Sequence, residues 1–385
     1  MIVIEAAAVR TRQLPRGNRV LLVDEGWLQT AELATALEAA GFAVTVVTAD
    51  GSAASYLRRS VRWCSGPELA SAAFLPYLDR MVRETLFDHV LPLTESALSR
   101  LWDARPDWSD HIYPAVDEWQ CRLLRDKHLL IEHMASCGVA VPNQRRLGAA
   151  LDATALAREL GLPLVVKAAT GAGGRCVRIV ETTAQLAAAM RRARLLGGDW
   201  AAQELVAGPT CLFGGVFHRG RPLRIYAAEK LEQHPPRTGP AIRLRSDGDP
   251  ALVEIGLRVV RELRWTGFAS VDFVRRRRGS YVFLEVNPRP WGSIAGVRSA
   301  GVDLFSPFAE LLAGGMPASD LAFMPGEDCH VFPRYLLSPA YWRLGGAARA
   351  LRDLLGPQGQ EWRDLGFARH LVARLYRLRR RGRRP

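Results

Sequence analysis

The chain has 385 residues, 48% hydrophobic and 24% charged, which is the balance of a folded globular protein long enough for two or three domains. Its six cysteines are scattered singly, without a CxxC motif or a Cys/His cluster, which argues against a zinc site and a disulfide framework. No apolar run approaches the ~18 residues needed to cross a bilayer. The first ten residues make a poor secretory signal, so we expect a cytoplasmic protein.

The formal net charge of +13 is concentrated at the C-terminus. Residues 369–385 contain eight arginines and no acidic residue, and the remainder of the chain is only mildly basic. Such a tail is compatible with contact to an anionic membrane or another polyanion, and equally with a solvated terminus. We expect no sequence-specific binding of nucleic acid.

Strand and helix patterns alternate over the first hundred residues. Apolar runs that predict strands occupy residues 19–24, 42–50, 61–64 and 88–95. Helical spacing occupies residues 28–41 and 68–84. This succession predicts a parallel sheet with right-handed crossovers, and we assign residues 1–118 to a small doubly wound α/β domain. Glu95 ends its last strand, where it would either face a substrate or cap a helix.

A glycine-rich turn follows in the middle of the chain. Residues 121–138 have the pattern of one helix ended by Gly138. The apolar run 162–169 then carries Lys167 and leads through TGAGG into a second strand, unlike a P-loop, which is followed by a helix. Glycines here would let backbone N–H groups approach phosphate oxygens, with Lys167 adding a positive charge. The alternative is an ordinary hairpin turn with an exposed lysine.

Two further strands, joined by the turn 218–222, are predicted for residues 211–231, and helices for residues 251–265 and 302–314. Between these two helices, the segment GFASVDF carries Asp272. The following segment, YVFLEVNPRPWG, carries Glu285, Asn287 and Arg289 at alternating positions, so their acidic, amide and basic side chains share one face of a strand. If Arg276 pairs with Tyr281 across the turn, Asp272 lies opposite Glu285. Two carboxylates and an amide suit a divalent cation that carries nucleotide phosphates. The alternative is a hairpin with an incidental surface ion pair.

The order of these features resembles the ATP-grasp superfamily, particularly its carboxylate–amine ligases and the synthetase domains of carbamoyl-phosphate synthase. The resemblance spans about residues 19–316. It implies an α/β plus α+β architecture, in which a small doubly wound domain precedes a two-lobed ATP-grasp domain. The expected N-lobe is residues 119–199, the C-lobe is residues 200–320, and a basic extension follows at residues 321–385.

The same resemblance implies the residues that bind ATP and Mg²⁺. Phosphate contacts are expected from Lys127, Lys167 and the turn that contains Gly171, Gly173 and Gly174. The adenine is expected to be read by Gln203, Glu204, Leu205 and Val206. The ligands of two magnesium ions, which Mn²⁺ is expected to be able to replace, would be Asp272, Glu285 and Asn287. The catalytic cations would be Arg289, Lys230 and Arg245, with Arg243 as a further candidate, and Thr210 stands where many members carry an acid for the ribose.

The function implied by the resemblance is that of an ATP-dependent carboxylate–amine ligase. It would form an amide through an acyl phosphate from a small-molecule or peptide carboxylate and an amine. One alternative is phosphorylation of bicarbonate or carbamate, as in carbamoyl-phosphate synthase. Another is a nucleotide-binding scaffold whose tail binds a polyanion. The sequence specifies neither the substrates nor the oligomeric state, for which a homodimer is the commonest arrangement.

Overall fold

The structure, a computed structural model, describes residues 17–24, 29–49, 61–148, 151–170, 176–234 and 236–331. The predicted glycine turn with Gly171, Gly173 and Gly174, and the arginine-rich tail, lie outside these residues. The described part comprises a first domain and two lobes, each built around one sheet.

The first domain is a parallel sheet with the strand order β3-β2-β1-β4. Its elements are β1 (Arg19–Asp24), α1 (Gln29–Ala39), β2 (Ala43–Thr48), β3 (Arg62–Ser65), α2 (Phe74–Thr85), β4 (His89–Pro92) and α3 (Glu95–Ala104). Successive residues of β1 face opposite sides of the sheet. Leu22 therefore packs in one core with Leu33 of α1, and Leu21 packs in another with Leu78 of α2. Helices on both faces confirm the predicted doubly wound arrangement.

The helix predicted for residues 121–138 is two helices, so that prediction is wrong. They are α4 (Glu118–Arg125) and α5 (Lys127–Ser136). Asp126 separates them in an extended conformation, and its Oδ1 accepts the backbone N–H groups of His128 (2.8 Å) and Leu129 (3.0 Å). An aspartate that satisfies the free amides at a helix start stabilises a new helix. Lys127 consequently becomes the first residue of α5.

The N-lobe, residues 144–204, is a small antiparallel sheet in the order β5-β8-β6-β7 with two helices. Its elements are β5 (Gln144–Arg146), α6 (Ala153–Leu160), β6 (Leu164–Ala168), β7 (Val177–Val180), α7 (Thr183–Leu196) and β8 (Trp200–Glu204). The antiparallel pairing of β6 with β7 confirms the predicted strand–turn–strand order. The predicted boundary at residue 200 differs from the structure, because β8 pairs with β5 and β6 inside this sheet.

The C-lobe, residues 205–331, is an antiparallel sheet in the order β13-β12-β9-β10-β11-β14. Its elements are β9 (Thr210–His218), β10 (Arg221–Gln233), β11 (Ala241–Ser246), α8 (Pro250–Glu262), β12 (Gly267–Arg275), β13 (Tyr281–Asn287), α9 (Ile294–Ser299), α10 (Phe305–Leu312) and β14 (Asp328–His330). α8 packs tightly on the sheet: a Cβ on Gly256 would lie 2.2 Å from Cγ of Phe213. β14 extends the sheet past residue 320, where the predicted C-lobe ends.

The six cysteines all carry free thiols, and Cys121, Cys211 and Cys329 are buried. Burial raises the pKa of Cys121 to about 11 and that of Cys211 to about 12, so both remain protonated at neutral pH. Among the helices described here, none has the length and hydropathy to cross a bilayer.

Candidate active site

A cleft of about 990 Å³ lies between the sheets of the N-lobe and the C-lobe. This volume is at the upper end of ordinary ligand pockets. The cleft brings together eleven of the residues predicted from the sequence, namely Lys127, Lys167, Gln203, Glu204, Leu205, Val206, Lys230, Asp272, Glu285, Asn287 and Arg289. Residues far apart in the chain therefore share one cavity.

The acidic part of the cleft is formed by β12 and β13. Phe273 pairs with Phe283, the register then shifts by one residue at Leu284, and Asp272 pairs with Glu285. A residue inserted in this way is a β-bulge, which locally breaks the alternation of side chains. Leu284 and Glu285 consequently both line the cleft.

Each of these carboxylates contacts a lysine. Lys127 Nζ lies 2.7 Å from Glu285 Oε2, and Lys230 Nζ lies 2.5 Å from Asp272 Oδ2. Burial alone would raise the pKa of Glu285, but the charge and hydrogen bond of Lys127 outweigh burial and hold that pKa well below its usual range. Burial would likewise lower the pKa of Lys127, and Glu285 raises it instead. Both partners of this pair are therefore charged at neutral pH.

The residues expected to hold Mg²⁺ fit that ion. Asp272 Oδ1 is buried and has no hydrogen-bond partner among the described residues. Burial, reinforced by the neighbouring charge of Glu285, raises the pKa of Asp272 although Lys230 opposes the change. An unpaired carboxylate oxygen, a second carboxylate and the amide of Asn287 form the all-oxygen set that Mg²⁺ prefers. No group of three or more His, Cys, Asp or Glu residues suited to a metal occurs in the described part of the chain.

Lys167 and Lys127 provide positive charge at the end of the cleft formed by the N-lobe. Lys167 is only 8% exposed, and burial lowers its pKa to about 8, with a further contribution from the charge of Lys127. The two lysines are held close because the backbone N–H of Lys127 donates to the carbonyl of Ala169, just beyond β6 (3.1 Å). The charge of Glu285 opposes the lowering of the Lys167 pKa, and Lys167 forms no salt bridge with the residues that the structure describes. A buried lysine of this kind is suited to receive phosphate oxygens.

Arg289 connects the cleft to the first domain. It is 7% exposed, its Nε donates to Glu95 Oε2 (2.9 Å), and its Nη2 donates to Asn287 Oδ1 (3.3 Å). Of the two roles considered for Glu95, capping belongs instead to Thr94, whose Oγ1 accepts the N–H of Ala97 (3.1 Å). Glu95 is the first residue of α3 and contacts the arginine of the site.

The segment that joins the lobes forms the apolar end of the cleft. Val206 packs with Val274 and Val282, and Gln203 Nε2 is buried without a partner among the described residues. An apolar wall beside an unused amide donor suits a planar base with acceptor nitrogens. The carboxylate of Glu204 accepts from Asn143 Nδ2 (3.3 Å) and Arg276 Nη2 (3.2 Å), so protein groups already use both of its oxygens.

Arg243 and Arg245 are not brought into the cleft. They lie on β11, whose first residues Ala241 and Ile242 line the cleft, whereas neither arginine does. Both arginines pair with Asp328 of β14, at 2.6 Å each. The prediction that Arg245 is catalytic is therefore not supported by its position, whereas Lys230 on β10 does reach the acidic pair.

Sequence reasoning missed the wall formed by Trp291 and Ser270. Both line the cleft, and Trp291 Nε1 and Ser270 Oγ are buried without partners among the described residues. Trp291 fits because Gly214 lies beneath it: a Cβ there would be 2.8 Å from Trp291 Cη2. Gly214 also pairs with Ser270 across β9 and β12. The doublet Gly214-Gly215 within a strand pattern was the available signal of a close approach.

Comparison with known proteins identifies the domain that contains this cleft. Residues 124–293 match the family model of the ATP-grasp domain. The chain is 26% identical over 184 residues to the chloroplastic biotin carboxylase of Arabidopsis thaliana, covering 44% of this chain and 34% of that protein. It is 31% identical over 182 residues to the D-alanine–D-alanine ligase of Desulforudis audaxviator, covering 44% of this chain and 59% of that protein.

A solved structure, the L-amino acid ligase from Bacillus licheniformis, resembles this fold with a TM-score of 0.61. The superposition covers 77% of this chain and 74% of that one at 18% sequence identity, which shows a shared fold. Residues 124–293 thus match the ATP-grasp domain that the motifs predicted, and the chain spans about a third of the length of the biotin carboxylase it matches.

Proposed function

We propose that this ATP-grasp protein is an ATP-dependent ligase that joins a carboxylate to an amine through an acyl phosphate. The observation that supports it best is one cleft in which Lys127 and Lys167 lie beside the carboxylates of Asp272 and Glu285. Phosphoryl transfer requires positioning and neutralisation of charge more than covalent help from the protein. These residues supply both.

Each side chain has a distinct role in this proposal. Lys127 and Lys167 bind phosphate oxygens, together with the glycine turn. Gln203 and the following hinge residues bind adenine. Two Mg²⁺ ions, or Mn²⁺ in their place, are held by the oxygens of Asp272, Glu285 and Asn287, and they neutralise charge on the triphosphate. Arg289 orients the transferred phosphoryl group.

The proposed reaction has two steps. In the first, an oxygen of the substrate carboxylate bonds to the γ-phosphorus of ATP, and the bond from that phosphorus to the β–γ bridging oxygen breaks, which releases ADP. In the second, the amine attacks the acyl carbon, the carbon–oxygen bond to phosphate breaks, and the amine nitrogen loses a proton. Arg289 and Lys230 line the same cleft, where their positive charges would stabilise the charge that develops on the transferred group.

The names of two relatives favour a carboxylate and an amine as substrates. D-alanine–D-alanine ligase and L-amino acid ligase are both named for joining amino acids. The similarity to biotin carboxylase favours a second candidate, in which bicarbonate is phosphorylated. Carbamate is the corresponding substrate in a reaction like that of carbamoyl-phosphate synthase.

A screen of ADP release distinguishes the two reactions. For a carboxylate–amine ligase, ADP release with MgATP requires both an organic carboxylate and an amine from a panel of pairs, and added hydroxylamine traps the intermediate as a hydroxamate. For the second candidate, ADP release depends on bicarbonate in carbonate-free buffer. ADP release that depends on neither would contradict both reactions.

A scaffold that binds nucleotide without turning it over remains the alternative of a different class. Deletion of residues 369–385 tests the tail separately. Loss of salt-sensitive polyanion binding with unchanged ATP turnover would make the tail an accessory of an enzyme. A cytoplasmic location, a homodimer and contact of the tail with an anionic membrane stay predictions.

A further inference from the structure

The first domain contributes the carboxylate of Glu95 to a contact with Arg289. Arg289 lies in the C-lobe, 194 residues along the chain, and its Nε donates to Glu95 Oε2 at 2.9 Å. The side chain of Arg289 is 7% exposed and that of Glu95 is 27% exposed. A hydrogen-bonded ion pair at this burial fixes the plane of a guanidinium more strongly than an exposed pair does.

The contacts of Arg289 are directional. Nε is used by Glu95, Nη2 reaches Asn287 Oδ1 at 3.3 Å, and Nη1 reaches the carbonyl of Pro290 at 3.3 Å. A guanidinium has five N–H donors in one plane. With its plane fixed by Glu95, the guanidinium keeps a constant orientation next to Asp272 and Glu285 of β12 and β13.

The position of Glu95 is itself fixed by the local sequence. It is the first residue of α3, directly after Thr94, which caps the helix through the N–H of Ala97. A carboxylate in the first helical turn is stabilised by the helix dipole. Its charge also acts on Lys127, whose pKa is raised first by Glu285 against burial and further by Glu95. Glu95 therefore belongs electrostatically to the cleft although its helix belongs to another domain.

We propose that Glu95 is a positioning residue that holds the Arg289 guanidinium in the orientation needed to bind the transferred phosphoryl group. This inference rests on the proposed function, in which Arg289 contacts that group. It makes the first domain part of the phosphoryl-binding machinery without contact to the phosphate. Removal of the Glu95 charge leaves the arginine in place and releases its orientation.

Binding of inorganic phosphate to the MgADP complex of the full-length protein tests this role without knowledge of the substrates. Phosphate bound next to MgADP mimics the transferred phosphoryl group. Calorimetry measures the affinity for MgADP and the affinity of the MgADP complex for phosphate separately. Glu95→Gln is expected to leave the dissociation constant of MgADP within about twofold and to weaken phosphate binding about tenfold. Asp103→Asn is the matched control, because Asp103 lies on the same helix and pairs with Arg125 (2.6 Å) at the surface.

A double-mutant cycle with Arg289→Met shows whether Glu95 acts through the arginine. In the Arg289→Met background, Glu95→Gln is expected to change phosphate affinity by less than about twofold. The same loss in both backgrounds would overturn the proposal, because Glu95 would then act independently of Arg289. Unchanged phosphate affinity in Glu95→Gln would overturn it as well.

Failure of the positioning role of Glu95 can be told apart from failure of the proposed ligase function. If the wild-type protein binds no MgADP, the nucleotide site itself is refuted. If Glu95→Gln loses MgADP binding and its melting temperature falls while Asp103→Asn is normal, Glu95 is a structural residue, and the positioning role is rejected. A crystal structure of Glu95→Gln with MgADP and phosphate is expected to show Arg289 rotated away from the phosphate.

Discussion

Asp272 and Glu285 lie directly opposite each other on β12 and β13, because one extra residue, Leu284, shifts the register between them and the turn. Without that bulge, Asp272 would pair with Leu284, and the alternation of β13 would direct Glu285 to the other face. The acidic pair of the cleft therefore depends on one inserted residue as well as on the two acids.

Replacement of Glu285 by Gln is expected to reduce ADP formation by at least about 100-fold, because the variant loses a metal ligand and leaves Lys127 without its anion. The fold should persist, as judged by far-UV circular dichroism and the melting temperature. Glu159→Gln is the control, since Glu159 pairs with Arg145 (2.5 Å) on the N-lobe surface. Equal turnover in the two variants would refute the role of Glu285.

Nucleotide affinity is expected to fall as the pH rises above about 8, the pKa to which burial lowers Lys167. Bound phosphate favours the charged lysine and raises its pKa, so binding takes up a proton wherever the free lysine is neutral. The affinity should be nearly constant from pH 7.5 to 8 and then decrease by up to about tenfold per pH unit. Calorimetry in two buffers of different ionisation enthalpy measures the uptake of protons.

Lys167→Arg provides the control for this dependence, because arginine stays charged throughout the range. The comparison uses the slope of nucleotide affinity against pH in each protein, because the substitution also changes the geometry of the site and hence the absolute affinity. An identical slope in Lys167→Arg would assign the effect to another group.

The buried imidazole of His128 is expected to make the protein sensitive to acid. Burial, aided by the charge of Lys167, lowers the pKa of this residue from 6.5 to about 4. As the pH falls, His128 therefore takes up a proton at a higher pH in the unfolded chain than in the folded protein. The free energy of unfolding consequently decreases as the pH falls from about 6.5 to 4. The loss attributable to this residue is about 3 kcal/mol at most. Urea denaturation of wild type and His128→Leu across this range should give a flatter profile for the variant, and parallel profiles would contradict the assignment.

Gly214→Ala is expected to destabilise the C-lobe by about 1–3 kcal/mol, because the new methyl group would overlap the indole of Trp291. Trp291→Leu should remove most of the clash, so the double variant should lose less stability than the sum of the single losses. Gly148→Ala is the control, since nothing lies within 4 Å of a Cβ there. Strict additivity in thermal denaturation would show that the glycine serves another purpose.

The parts of the fold that sequence reasoning predicted are those specified by local patterns. Alternating strands and helices gave the first domain, and the β12–β13 hairpin placed Asp272 opposite Glu285. The pairing nevertheless arises differently: Tyr281 pairs with Arg275, not with the predicted Arg276, and the bulge at Leu284 restores the expected opposition. A bulge has no reliable sequence signature here, because Leu284 fits an ordinary strand.

The contacts that were not predicted depend on tertiary structure. Glu95 meets Arg289 only because two domains pack together, and no periodicity within either segment encodes that approach. Arg245 was predicted in the site because the segment from Lys230 to Ser246 resembles a variable region that carries basic residues near the γ-phosphate, whereas on the unrecognised strand β11 it pairs with Asp328 of β14. The two helices around Lys127 were merged because an aspartate within a helical pattern is also compatible with a solvent-exposed helix residue.

The N-lobe has its own hydrophobic core, and among the described residues this cluster contains only members of the lobe, such as Leu156, Val166 and Leu186. Its attachment to α5 is polar: Arg146 pairs with Asp126 and Glu132, at 3.0 Å each. A change in the angle between the lobe and α5 would stretch these ion pairs. They therefore contribute an electrostatic term to the width of the cleft, which raised ionic strength would weaken without altering either lobe.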